Sequence, residues 1–224
     1  MNLNMKKKWE TLHSQSRFRP KYPAEIVVQF IFRNFKRDGK IKVLDLGCGT
    51  GRHVYFMANE NIDAYGVDIS ESGINYTKKL LQENGLQDNL KVSSVDQLPF
   101  DNNYFDGLIS YGVLYYCKNE EIKKAVDEIY RVLKPTGKGL LFVRNEKDYR
   151  YGDGEEIEKN TFMIKEDDES KCAFNENGMI MHFFEKEELV KLFSKFSSVQ
   201  IDEIIETHEN GQYCDANFVV DFTK

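Results

Sequence analysis

The sequence has no apolar run long enough to cross a bilayer, and its basic opening "MNLNMKKKWE" meets Trp9 and Glu10 where a secretory leader would need an apolar segment. The expected location is the cytoplasm, with no membrane partner. Cysteine is sparse: Cys48, Cys117, Cys172 and Cys214 stand far apart, with no CxxC pair and no histidine at zinc-ligand spacing. They read as free thiols, and no metal site is expected. Positive charge is also short, 31 Lys and Arg against 37 Asp and Glu for a net charge of -6. Binding a phosphate backbone depends on clustered cations that release counterions, so nucleic acid is not an expected partner. The nearest basic patch, Met5 to Lys8 with Arg17, Arg19 and Lys21 following, reads first as a solvated terminus. Internal repeats and low-complexity tracts are missing too.

What remains is enough for one well-filled α/β domain: 224 residues, 41% hydrophobic and 13% aromatic. Apolar runs alternate with helical patterns. Helices are expected at 25–35, at 53–59, from the Ser70 N-cap to Gly85, and at 120–133, where Ile122, Ala125, Val126, Ile129 and Leu133 share one face. Strands are expected at 41–46, 64–68, 90–95, 105–110 and, after a turn at Pro135 and Gly137, 139–143. Such alternation implies right-handed βαβ units and a doubly wound, mostly parallel sheet. The periodicity fails from Arg144 to about Asn177, an acidic, tyrosine-rich stretch too long for an ordinary connection. It reads as a structured lid rather than a disordered insertion. "MIMHFF" then resumes strand character, "EKEELVKLFSKF" forms an amphipathic helix, and "VQIDEIIE" and "NFVVDF" close the chain as an antiparallel pair. The expected layout is a single domain over 1–224, with a cap segment 1–38, a core 39–143, a lid 144–178 and C-terminal strands and helix 179–224.

"KVLDLGCGTGRHV", from Lys42, ends its first strand on Gly47, Gly49 and Gly51. Glycines between a buried strand and a helix allow close approach of a ligand to bare backbone at the positive end of the helix. The dinucleotide fingerprint is G-x-G-x-x-G, and here the third glycine comes one residue early. Asp68 ends the second strand, where a carboxylate can accept two hydrogen bonds from a ribose diol.

With "VDQLPFDNNYFDGLIS" and "EIYRVLKPTGKGLLFV" added, the chain resembles the class I S-adenosylmethionine-dependent methyltransferases over about residues 40 to 143. The signature acidic-x-Gly-x-Gly-x-Gly is matched by Asp45, Gly47, Gly49 and Gly51, the ribose acid by Asp68 in "YGVDIS", and the adenine-contacting acid by Asp96 in "SVDQLPF". The resemblance implies a Rossmann-like methyltransferase fold with a seven-stranded sheet and an antiparallel terminal strand. It also implies S-adenosylmethionine as cofactor and S-adenosylhomocysteine as product. Cys48, Thr50, Ile69, Gln97, Ser110 and Tyr111 join those acids and glycines as expected cofactor contacts. Asp45 would meet the methionine ammonium, and Gln97 and Leu98 would flank adenine.

Many relatives read "VLHH" where this chain has "VLYY", so a histidine base is missing and Tyr115 stands in that place. Tyr115 and His182 are the candidate catalytic residues, although methyl transfer to a neutral nucleophile needs no obligatory base. Arg17, Arg19 and Tyr22 are candidate acceptor clamps, with Tyr115 beside them; His13 and His208 carry no signal. The expected activity is methyl transfer to a small polar metabolite with an N or O acceptor, a sugar or amine among them, by a monomer or homodimer. A noncatalytic cofactor-binding partner or sensor, an RNA or protein methyltransferase, and a nicotinamide-dependent dehydrogenase are the alternatives.

Overall fold

The computed structural model describes residues 3–224, without the side chains of Leu3, Asn4 and Cys172. The Cys172 thiol and the first two residues of the basic start lie outside the described residues. Strands β1 (Lys42–Leu46), β2 (Asp63–Asp68), β3 (Asn89–Val92), β4 (Phe105–Tyr111), β5 (Leu133–Arg144), β9 (Ser198–His208) and β10 (Tyr213–Thr223) make one sheet in the order β3-β2-β1-β4-β5-β10-β9. The first five pair in parallel, and β10 runs antiparallel to both β5 and β9. β1 is central, and Val43, Leu44, Asp45 and Leu46 are all essentially without exposure. A parallel strand covered on both faces needs that continuous apolar run rather than an alternation.

Helices α2 (Glu25–Asn34), α3 (Arg52–Asn59), α4 (Glu71–Glu83), α5 (Asn119–Val132) and α6 (Lys186–Leu192) fill the connections. The expected turn at Pro135 and Gly137 is present within β5: its pairing with β4 jumps from Phe105↔Leu133 to Gly107↔Lys138, and Thr136 there has φ 66°. The strand expected at 90–95 ends at Val92, leaving 93–97 as a loop at the carboxyl edge of the sheet.

Two departures from the sequence reading bear on the site. The terminus read as solvated forms helix α1 (Leu3–Ser14), with Met5 buried and Trp9 and Leu12 packed against the core. Met5, Trp9 and Leu12 recur at helical spacing, but lysines between them mask the stripe. The Glu10 carboxylate accepts the backbone N–H groups of Glu71 and Ser72, which satisfies the first turn of α4 from outside and docks α1 on it.

The second departure is "MIMHFF". Its strand β8 (Ile180–His182) pairs antiparallel with β7 (Thr161–Met163), which pairs with β6 (Glu155–Glu158), so the segment expected to be a lid forms a separate three-stranded sheet that extends past residue 178. The pairing puts His182 opposite Thr161, whose Oγ lies 2.8 Å from His182 Nδ1. A strand's partner is a tertiary property that local pattern does not carry.

Candidate functional site

The loop after β1 turns on left-handed glycines, Gly47 at φ 78° and Gly51 at φ 80°. Their bareness serves the protein's own packing: an added Cβ would lie 2.3 Å from Val113 Cγ2 at Gly47 and 2.2 Å from Thr77 Cγ2 at Gly51. Much of the expected free backbone is also committed. The N–H groups of Gly47 and Cys48 donate to Val67 O, and that of Gly51 to Cys48 O. Gly49 N–H donates to Asp68 Oδ2 at 2.8 Å, and Ser70 N–H to Asp68 Oδ1 at 2.8 Å. Asp68 is thus aimed by two backbone donors, one from the loop after β1 and one from the N-cap of α4, and each carboxylate oxygen keeps a further lone pair. Burial pushes its carboxyl pKa up, against the pull of His13 and the two N–H groups.

A cavity of about 910 Å³, its open mouth included, begins at this carboxylate. Its floor is Gly47 to Thr50 with Asp68 and Ile69, and Ser93 and Val95 form one side. Arg52, His53, Tyr111 and Val113 carry it along the sheet edge. The roof is aromatic: Trp9 and His13 from α1, then Phe18 and Pro20, with Tyr116 meeting Trp9 edge to face at 4.9 Å. Size and position, outside the carboxyl ends of parallel strands, suit a small-molecule site.

Asp45 lies just behind the loop, 1% exposed, with Oδ2 lacking a hydrogen-bond partner among the described residues. Burial raises its pKa to about 8, with Arg52 opposing and Asp68 adding. Its neighbour His53 is pushed down to about 3, chiefly by burial and further by the Arg52 charge. His53 Nε2 accepts the Ala24 N–H at 3.2 Å, so the neutral ring carries its proton on Nδ1, 3.8 Å from Asp45 Oδ2.

A pH dependence follows. Between the ordinary carboxyl value and about pH 8, the native chain keeps a proton on Asp45 that the unfolded chain has released, so stability falls as pH rises through that window and is level above it. Asp45→Asn cannot ionise and lacks that slope. The melting temperature of the variant relative to the parent is expected to rise by roughly 5–10 °C from pH 5 to pH 8 in ligand-free thermal scans.

Of the residues expected to hold cofactor, Gly47, Cys48, Gly49, Thr50, Asp68, Ile69 and Tyr111 line this cavity. Gly51 supports it through Thr77, and Ser110 is buried beside Tyr111 without lining it. Asp96 is half-buried and held by the Ser94 hydroxyl, and Gln97 is exposed; the cavity is walled instead by Ser93 and Val95 of the same loop.

The acceptor clamp is not assembled. Arg17 donates to Asn175 Oδ1, Arg19 donates to the carbonyls of His13 and Ser14 while lying over the Tyr76 ring, and Tyr22 is 73% exposed. Tyr115 is buried beside the lining Tyr116, under the Arg144 guanidinium. His182 lies elsewhere, enclosed between Thr161 and Glu188. Among the described residues, 144–178 supply no lining group; they back the wall through Glu176, which accepts the Tyr116 hydroxyl at 2.7 Å. Sequence reasoning missed Trp9, His13 and Arg52. Helical spacing from Met5 marks the first two, and Arg52 directly follows the last glycine.

A family model described as a methyltransferase domain matches residues 43–137. A 24-methylenesterol C-methyltransferase from Arabidopsis thaliana is 33% identical over 108 residues, 47% of this chain and 28% of that protein. A ubiquinone/menaquinone biosynthesis C-methyltransferase from Rickettsia prowazekii is 35% identical over 105 residues, 43% of this chain and 41% of that protein. The chain spans less than half the length of the curated relatives it matches. Among solved structures, a SAM-dependent methyltransferase from Methanosarcina mazei superposes with a TM-score of 0.70 at 22% identity, covering 91% of this chain and 98% of that one. That likeness is one of fold. Among the described residues no helix is long and apolar enough to cross a membrane, and no side-chain group is arranged to hold a metal ion.

Proposed function

We propose that this chain, whose residues 43–137 match a methyltransferase domain, is a class I S-adenosylmethionine-dependent methyltransferase that methylates a small-molecule acceptor in the cavity at the carboxyl edge of the sheet. One observation carries the proposal: Asp68 is fixed by two backbone N–H donors with its spare lone pairs on the cavity wall. The residues present fit the cofactor. Asp68 would take the ribose hydroxyls, Ile69 and Val95 offer apolar walls for adenine, and the partnerless Asp45 Oδ2 suits an ammonium group, directly or through water. When bound, S-adenosylmethionine supplies a methyl group activated on a sulfonium.

The chain contributes placement and a dry chamber. Trp9, Phe18, Tyr111 and Tyr116 wall off the space beyond the glycine loop, which orients an acceptor and keeps water from it. Two lining groups with proton-accepting atoms are already committed: His53 Nε2 to Ala24, and the Tyr116 hydroxyl to Glu176. Transfer then rests on alignment rather than on a base from either residue. The acceptor is a polar metabolite attacking through nitrogen or oxygen, flat or apolar enough to lie against those rings.

The test incubates the purified chain with methyl-labelled S-adenosylmethionine and a cell extract split into metabolite and macromolecular fractions. Label is expected in the metabolite fraction. Label confined to RNA or protein would overturn the small-molecule reading, and saturable cofactor binding with no label in either fraction would favour a noncatalytic binder.

A further inference from the structure

We infer that Arg52 is the residue that reads the carboxylate at the amino-acid end of the cofactor, an assignment that rests on the cofactor reading above. Arg52 is the first residue of α3 and lines the cavity next to His53. A cation at that position opposes the helix dipole, so the placement is unfavourable unless an anion comes to it. Among the described residues no carboxylate lies within ion-pair distance of Arg52, whereas Arg144 and Arg150 behind the cavity are both ion-paired.

The acids at the glycine loop are otherwise engaged. Asp68 already accepts two backbone N–H groups, and Asp45 is sealed behind the loop, protonated up to about pH 8. Around the start of α3, therefore, one guanidinium and the positive end of a helix face the cavity, and among the described residues no carboxylate is ion-paired with that guanidinium.

Tyr111 fixes where that guanidinium sits. Its ring stacks on Phe142 at 4.4 Å and 7°, and Arg52 Cζ lies 5.1 Å from its centroid. A planar cation held over a ring presents its edge donors in a fork that matches a carboxylate. Behind the loop, the partnerless Asp45 Oδ2 is the complementary acceptor that an ammonium would reach through a bridging water. The pair, cation donor on one side and carboxyl acceptor on the other, is the recognition pattern of an α-amino acid head group.

Isothermal titration with three probes tests the assignment: S-adenosylmethionine, its decarboxylated analogue, and 5′-methylthioadenosine, which lacks the amino-acid end altogether. The unaltered chain is expected to bind S-adenosylmethionine about 10–100-fold more tightly than the decarboxylated analogue, the worth of one charge-assisted contact. Arg52→Gln is expected to shrink that ratio to less than about 3-fold while leaving the affinity for 5′-methylthioadenosine unchanged, which also shows that the variant is folded. Equal loss for S-adenosylmethionine and the decarboxylated analogue, or no change in the ratio, overturns the assignment. Failure of the unaltered chain to bind 5′-methylthioadenosine would instead sink the cofactor reading beneath it.

Discussion

Asp68→Ala is expected to raise the dissociation constant for S-adenosylhomocysteine at least about 100-fold, because two charge-assisted hydrogen bonds of about 1.5–3 kcal/mol each are lost together. The loss has a second source. Gly49 and Ser70 donate their N–H groups to the two Asp68 oxygens, so truncation leaves both donors unpaired and loosens the turn that forms the cavity floor. Asp68→Asn keeps one carbonyl oxygen and should fall between the two, since its amide nitrogen cannot accept from either donor. Isothermal titration of both variants, with a thermal scan in the absence of ligand, separates contact from positioning. A change of under about 3-fold in a folded Asp68→Ala protein would mean that no ribose is held there.

The largest expected loss of stability lies behind the cavity, in Arg150→Met. Arg150 is 1% exposed, and its Nη1 lies 3.0 Å from Asp148 Oδ1 and 2.6 Å from Asp215 Oδ1, while Nε faces Glu176 Oε2 at 3.0 Å as an ion pair. Burial alone would make this charge costly, and the three acids hold it in the protonated state. Removing the cation leaves acids buried without full compensation, which costs about 3–5 kcal/mol. A fall in melting temperature of roughly 10 °C is expected, checked by denaturant titration at neutral pH.

The acids add a sign to that result. Burial would raise the Asp215 pKa, but the hydrogen bond and charge of Arg150, with Arg144 adding, bring it below the ordinary carboxylate value. Its contribution is therefore present above the unfolded value and lost as pH falls through the folded one. The stability gap between parent and Arg150→Met should narrow in acid. A loss below about 1 kcal/mol would show that Arg144, which also pairs with Asp148 and Asp215, compensates by itself.

These two predictions concern residues of different legibility. Asp68 is readable because it ends a strand whose apolar run is local, two residues before Ser70, a helix cap that accepts the Gly73 N–H. Arg150 falls in a stretch without periodicity, and nothing in "KDYRYGDGEE" says that its partners are Glu176 and Asp215. Its ion pairs span up to 65 positions of chain. The same holds for His182, which alternation alone left open between the site and the core; its actual neighbours, Thr161 and Glu188, enclose it in the lid sheet.

The sequence by itself determined the doubly wound core, the glycine turn after β1 and the acid ending β2, because strand burial, turn backbone and helix capping are settled among residues a few positions apart. It did not carry the packing reason for bare glycines at 47 and 51, which depends on Val113 and Thr77, brought against the loop only by folding. Tertiary structure alone decided that α1 roofs the cavity and that β8 pairs with β7 in the second sheet. It decided too that His53 is a neutral ring beside Asp45, and that Arg52 stands without an ion-paired acid among the described residues. Each of these is a matter of which distant group fills a given space, and so of burial and pairing rather than of local pattern.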